Sequence, residues 1–252
     1  MNRSAKKAMP VRLLYAVRDL VNRPLFEALH RYCSGAVLDV GGWDFFRTAL
    51  RRKVSFNSWT VLEVAAREVT EIADDRVSVV VGDGCRMDFK DDRYDTVVNV
   101  QVLEHVFEPN VMIREMCRVL KPGGYLIMLV PQTATIHMAP NHFYNFTRFW
   151  IEEALRCNKM ETVELRPLGG IWSSMASHLV YFVFQSIRFP GMSTDAHKRN
   201  ALFYVLYPAM LLFALVALPA TLILSLGDLT EEPNNHLVVA KKAPLLRVKR
   251  DR

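Results

Sequence analysis

Between residues 35 and 131 the chain alternates short apolar runs with amphipathic stretches. The runs are 36–40, 60–64, 77–81, 96–100 and 125–130, each strand-sized and nearly continuous in Val, Leu and Ile. Unbroken apolarity, as opposed to every-second-residue alternation, marks strands covered on both faces of a sheet. Residues 110–120 place their apolar side chains at helical spacing, and Lys121-Pro122-Gly123-Gly124 predicts a helix stop and tight turn. Upstream, residues 11–32 read as a helix with Pro24 as a kink or break; downstream, 148–159 read as a helix, 162–165 as a strand and 237–240 as a last strand. This β-α-β repetition predicts an α/β fold, a doubly wound, Rossmann-like and mostly parallel sheet.

One stretch interrupts that pattern before the last strand. Residues 167–187 and 200–227 contain no Asp, Glu, Lys or Arg. The first segment carries Ser174, Ser177, His178, Tyr181 and Gln185 three or four residues apart, a polar stripe on an otherwise apolar helix. The second is long enough to cross a bilayer, which takes about 20 apolar residues, but Pro208 and Pro219 divide it. The flanking strands must join one sheet, so any crossing must be paired and would translocate residues 188–199, with three basic side chains and one acidic. That runs against the positive-inside tendency. A hairpin lying in or against one leaflet is more economical, and a buried helical cap or a homodimer interface is the other reading. The expected division is a basic helical segment (1–34), an α/β domain (35–166 with 234–243), the apolar helical insertion (167–233) and a basic tail (244–252).

Charge sharpens the surface reading. The 252 residues carry a net +6, with seven basic and two acidic side chains in residues 1–31 and six and one in residues 240–252, so the remaining middle is acidic by four. Basic ends on an acidic body suggest contact with anionic lipid headgroups or nucleic acid, or else solubilising tails. Cys33, Cys85, Cys117 and Cys157 lie more than thirty residues apart, which fits no zinc knuckle, CxxC pair or disulfide framework. No metal site is expected. A reducing compartment follows, and with no apolar run after the first basic residues no signal peptide is expected. The predicted location is the cytoplasm, peripheral or monotopic at a membrane.

In an open α/β sheet, ligands bind beyond the carboxyl ends of the strands at the point where the winding reverses. The first strand ends Asp39-Val40-Gly41-Gly42, where small residues let backbone amides approach a ligand. The second ends at Glu63, a carboxylate placed for ribose hydroxyls; the third ends Gly82-Asp83-Gly84; the fourth leads through Asn99 to His105.

These strings, Val37-Leu38-Asp39-Val40-Gly41, Gly82-Asp83-Gly84, Tyr94-Asp95, Val102-Leu103-Glu104-His105-Val106 and Arg118-Val119-Leu120-Lys121-Pro122-Gly123-Gly124, resemble the class I S-adenosylmethionine-dependent methyltransferases, type 11-like. The resemblance spans about residues 35–165 and returns at 234–242. It implies S-adenosyl-L-methionine as cofactor, with Asp39, Gly41 and Gly42 along its methionine part, Glu63 on the ribose, Asp83, Gly84 and Cys85 around the adenine, and Gln101 with Val102 near the sulfonium. Where relatives carry two further glycines, this chain has Trp43 and Phe45. These pack beside the cofactor or fill its pocket, and the second case would leave a non-catalytic membrane-associated scaffold.

Residues 137–148 resemble an acceptor-side stretch of relatives, and a hydroxyl acceptor needs a base. His142, His137 and Tyr144 are the candidates, followed by His105, each with a capping or packing role as the alternative; Thr147 reads as a helix N-cap. The expected activity is O-methylation of a small-molecule, glycan or lipid-linked acceptor at a membrane face. GxGxxG is missing after the first strand, which disfavours a nicotinamide enzyme. No Asn/Asp-Pro-Pro-Tyr string follows the fourth, which disfavours nucleic-acid methylation.

Overall fold

The computed structural model describes residues 23–65, 74–188 and 199–244. Residues 11–22 of the helix predicted over 11–32, most of the loop at 188–199 and the basic tail beyond 244 lie outside them. Within the described residues the order is α1 (Arg23–Tyr32), β1 (Ala36–Val40), α2 (Phe45–Arg51), β2 (Ser58–Glu63), β3 (Val77–Val81), β4 (Tyr94–Val100), a 3₁₀ turn (Leu103–His105), α3 (Pro109–Val119) and β5 (Leu120–Pro131). There follow α4 (Arg148–Cys157), β6 (Met160–Leu168), α5 (Ile171–Ser186), α6 (Ala201–Leu224) and β7 (Asn235–Lys242). Pro24 sits in the first turn of α1, where its missing N–H costs nothing.

The seven strands lie in the order β3-β2-β1-β4-β5-β7-β6. β7 runs antiparallel to both neighbours, while the pairings of β1 to β5 are parallel. The winding reverses between β1 and β4. Alternate strand residues feed two cores, as the unbroken apolar runs require. Leu38, Val97, Leu126 and Met128 face Ile113, Met116 and Leu155 of α3 and α4. Val37, Val61, Val98 and Ile127 face Leu25, Leu29 and Phe46 of α1 and α2.

The predicted turn at Lys121-Pro122-Gly123-Gly124 lies inside β5. The ladder pairs Tyr94 with Leu120 and then Thr96 with Tyr125, so these four residues bulge opposite Asp95 alone. Asp95 explains the bulge: its carboxylate accepts the Ala36 N–H at 2.8 Å and the Lys121 ammonium at 2.8 Å. Gly35 and Gly124 leave no room for a side chain, since a Cβ would come within 2.4 Å of the Asp95 carboxylate and 2.7 Å of its carbonyl oxygen. The longest motif of the sequence therefore locks the amino ends of β1, β4 and β5, the end of the sheet opposite the ligand side.

The insertion forms between β6, which runs three residues beyond its predicted end, and β7. α6 is one continuous helix through Pro208 and Pro219, which the sequence had predicted to divide it. Each proline removes one backbone hydrogen bond, but the Leu, Ala and Met around them are strong helix formers. Only Ala214 and Thr221 of α6 are buried; Leu212, Phe213, Leu215, Val216 and Ile223 are all more than half exposed. Among the described residues, the segment Ala201–Gly227 is the one helix long and apolar enough to cross a membrane. The hairpin is fastened at its base, where Asp228 accepts from the Trp172 and Ser173 N–H groups at 2.8 and 2.9 Å and so caps α5 from the far end of α6. The polar stripe of α5 faces protein at Ser174, whereas His178 is exposed. Ser174 donates to the Glu232 carbonyl at 2.8 Å and shares a hydrogen bond with Thr133 at 2.8 Å.

Candidate active site at the carboxyl ends of the strands

Gly41 adopts φ +73°, and its N–H donates to the Leu62 carbonyl at 2.8 Å, which turns the chain sharply as it leaves β1. The smallness of the two glycines serves the loop's underside. A Cβ on Gly41 would meet Val102 at 2.6 Å, and one on Gly42 would meet the Asp39 carboxylate at 2.0 Å. Asp39 is accordingly placed beneath the loop, fully buried, with Oδ2 accepting the Trp59 indole N–H at 3.1 Å and Oδ1 without a partner. Burial above all, with Glu63 nearby, pushes its carboxyl up to about 8, against the opposing pull of the Trp59 hydrogen bond.

Glu63 ends β2 and accepts the Trp43 N–H at 2.6 Å, so one carboxylate joins the first loop to the second strand. Trp43 itself has φ +44°, the left-handed region that favours glycine. Its side chain is 52 % exposed, while Phe45 packs on Phe26 and Trp59 with ring centroids 6.1 and 6.4 Å apart. Phe45 is thus held in an aromatic cluster on the α1 side. At the end of β3, Asp83 Oδ1 accepts the Cys85 N–H at 2.8 Å, and Gly84 is buried against Met112, whose Cε a Cβ would meet at 2.4 Å. Cys85 is half-buried, and burial first, then the surrounding carboxylates, raises its thiol pKa. Asn99 donates to the Val40 carbonyl at 3.1 Å and ties β4 to β1 at the reversal of the winding. Gln101, at φ +56°, donates to Asn235 Oδ1 at 2.6 Å.

Beyond the fourth and fifth strands, three histidines meet. His105 lies in the 3₁₀ turn after β4, and His137 and His142 lie in the loop between β5 and α4. Their rings stand edge to face, with centroids 4.8 Å (105 to 137), 5.6 Å (105 to 142) and 4.7 Å (137 to 142) apart. The loop is held on the turn by the Glu104 carbonyl, which accepts the Phe143 N–H at 2.8 Å. The Glu104 side chain is fully buried beside His105 with both carboxylate oxygens unpartnered, and burial pushes its pKa up to about 7. Burial likewise lowers the pKa of His105 and of His142. Tyr144 is set apart from this group: its hydroxyl donates to the Phe107 carbonyl at 3.1 Å and its ring stacks near Phe146. Thr147 caps α4, accepting the Trp150 N–H.

Two cavities flank α5. One, of about 720 Å³, lies at the strand ends and is lined by Phe45, Gln101, His137, Ser177, Tyr181 and Asn235 among others. The second, of about 820 Å³, lies between α5 and α6 and is mostly apolar, with Thr133, Ser174 and Glu232 at its polar end. Sequence reasoning identified the individual histidines and the α5 stripe. It missed Glu104 as a buried orphan and Asn235, Arg51 and Arg52 as cavity residues, for which no spacing in the chain gives a signal.

Residues 38–128 match a family model described as a methyltransferase domain. The chain is 34 % identical over 116 residues to the methyltransferase GfsG of Streptomyces halstedii, covering 43 % of this chain and 42 % of that protein. It is 30 % identical over 154 residues to a probable S-adenosylmethionine-dependent methyltransferase of Mycolicibacterium smegmatis, covering 58 % and 56 %. The chain thus spans about half the length of the curated relatives it matches. A solved geranyl diphosphate methyltransferase in complex with S-adenosylmethionine superposes with a TM-score of 0.58 at 12 % identity, covering 92 % of this chain and 88 % of that one, which is a likeness of fold. The strand order, the glycine turn joined to Glu63 and the matched residues together identify residues 38–128 as the core of a class I S-adenosylmethionine-dependent methyltransferase domain.

Proposed function

We propose that this chain is an S-adenosylmethionine-dependent methyltransferase that methylates an oxygen of an amphipathic, lipid-linked or glycan-type acceptor while resting on an anionic membrane face. The cofactor supplies an electrophilic methyl on a sulfonium. The residues present fit it: the Gly41 turn, Glu63 and Asp83 stand at successive strand ends, with Trp43 half-exposed and Phe45 packed on Phe26 and Trp59. That placement weighs against a non-catalytic scaffold. Gln101, Val102 and the histidine cluster stand on the acceptor side of the strand ends, and the work of the site is to position the attacking oxygen.

The observation that carries the acceptor class is α6, an uncharged helix of 24 residues with its outer face exposed, beside an apolar cavity that shares α5 with the strand-end cavity. Ser174 and His178 line the apolar cavity, and Ser177 and Tyr181 line the polar one, so a single helix separates a place for a lipid tail from a place for its polar head. The basic residues at both ends of the sequence add attraction to anionic headgroups, at about 1 kcal/mol each near the surface.

Two measurements on one preparation test this. Wild-type protein should float with vesicles of phosphatidylglycerol and phosphatidylcholine, and Phe213→Asp with Val216→Asp should stay at the bottom of the gradient while binding S-adenosylhomocysteine as before. Glu63→Ala should do the reverse, floating normally with roughly 10- to 100-fold weaker S-adenosylhomocysteine binding, the value of a lost hydrogen bond to a charged group. A wild-type protein that does not float and sediments as a dimer dissociated by the Asp substitutions would make α6 an interface and remove the membrane acceptor.

A further inference from the structure

We propose that His105, His137 and His142 form a binding site for one divalent first-row transition-metal ion, of which zinc is the type. Each ring offers one nitrogen, and these atoms lie within 4.8 Å of one another. The hydrogen bonds choose which nitrogen is offered. His105 Nδ1 lies 2.6 Å from the Asn141 carbonyl oxygen and His137 Nδ1 lies 2.9 Å from the Thr135 carbonyl oxygen. A carbonyl only accepts, so each ring carries its proton on Nδ1 and keeps the Nε2 lone pair to offer. A backbone carbonyl on the distal nitrogen is the usual way in which a metal-binding histidine is oriented. His142 Nδ1 accepts the His137 N–H at 3.4 Å, and its Nε2 is buried with no partner.

A second observation points to a cation at the same place. The Glu104 carboxylate is 0 % exposed, neither of its oxygens has a hydrogen-bond partner, and Oε1 lies 3.7 Å from His105 Nε2. A buried carboxylate and a buried imidazole nitrogen without partners cost free energy that a nearby 2+ charge offsets. The three rings come from two segments that the Glu104 carbonyl holds together through Phe143, so the cluster is built by the fold and is not a chance meeting of surface side chains. With metal-to-nitrogen distances of about 2.0–2.1 Å, binding draws the three nitrogens closer than they lie here, a movement mostly within the loop that bears His137 and His142. Nitrogen donors of this kind suit zinc, iron, nickel or copper and do not suit magnesium or calcium.

Three imidazoles leave at least one coordination position open, and His137 also lines the strand-end cavity. An acceptor oxygen held there would lie on the acceptor side of the methyl donor. That role rests on the methyl-transfer reading above; the binding of the ion does not.

The test uses the full, untagged chain stripped with EDTA and then titrated with zinc against a chromophoric chelator, with cobalt as a spectroscopic probe. Expected are one equivalent of zinc per chain, a visible cobalt band typical of nitrogen ligation, and at least 100-fold weaker zinc binding in His137→Ala and in His142→Ala. His178→Ala, outside the cluster, should match wild type. S-adenosylhomocysteine binding, measured on every sample, reports folding and tests the methyltransferase reading separately. Zinc binding that is absent in wild type, or equal in wild type and the His137→Ala/His142→Ala double variant, overturns the proposal, whatever the outcome for the cofactor.

Discussion

The two ends of the parallel sheet treat their polar groups in opposite ways. At the amino ends, Asp95 binds the Ala36 N–H and Lys121, and Lys242 donates to the Cys117 and Leu120 carbonyls and to Asp92, closing the last turn of α3. At the carboxyl ends the accounts stay open. Among the described residues, the buried side-chain atoms without a hydrogen-bond partner include Asp39 Oδ1, Asn99 Oδ1, both Glu104 oxygens, Thr135 Oγ1, His142 Nε2 and His236 Nδ1, all at or beyond that end; Tyr94 Oη is the exception. Paired groups stabilise a fold, whereas buried unpaired ones are tolerated where a ligand or an ion meets them.

Three substitutions test this contrast. The largest effect should come from the amino end. Asp95→Ala removes the acceptor of the Ala36 N–H and the partner of Lys121, and should lower stability by about 2–3 kcal/mol in urea unfolding while the remaining folded protein binds S-adenosylhomocysteine normally. Glu104→Leu, at the other end, should have the opposite sign. Replacing an unpartnered buried carboxylate with an apolar side chain of similar size should raise stability by about 1–3 kcal/mol and lower turnover. A destabilised, fully active variant would show that Glu104 is paired and structural. The third test concerns Asp39 and reads a slope against pH. Its folded-state pKa of about 8 lies above the unfolded value, so between the two the folded chain holds one more proton than the unfolded one. Stability from this group is therefore full at low pH and falls as pH rises towards 8, by at most about 1.4 kcal/mol per pH unit. Asp39→Asn should flatten that slope between pH 6 and 8, and an unchanged slope would mean that Asp39 is ionised in the folded protein.

Much of the scaffold was legible because its signals are local. Unbroken apolar runs marked the strands to within a few residues, and the missing charges between β6 and β7 marked the insertion. Glu63 was legible as a strand-terminal carboxylate, but its partner, the Trp43 backbone, was not, because a tryptophan gives no sign of the left-handed turn it adopts there. Asp39 looked like a ligand contact, yet strand alternation at β1 and the small Gly42 above it turn its carboxylate inward. The histidine cluster was legible only as separate residues. His105 is more than thirty positions from His137 and His142 and meets them because one carbonyl, that of Glu104, catches the returning loop. Hydrogen bonds between a carbonyl and distant amides leave no periodic trace.

The position of β7 has a consequence for how the molecule is made. It is the last strand in sequence, but it lies between β5 and β6, pairing with both along most of its length. During synthesis the first five strands can assemble as soon as they emerge, but β5 and β6 cannot be joined until β7, which follows residues 169–234, has left the ribosome. Throughout that interval β5 presents an open edge while the most apolar segment of the chain is already in the open. The order of the strands thus makes closure of the sheet wait for the hairpin to be complete.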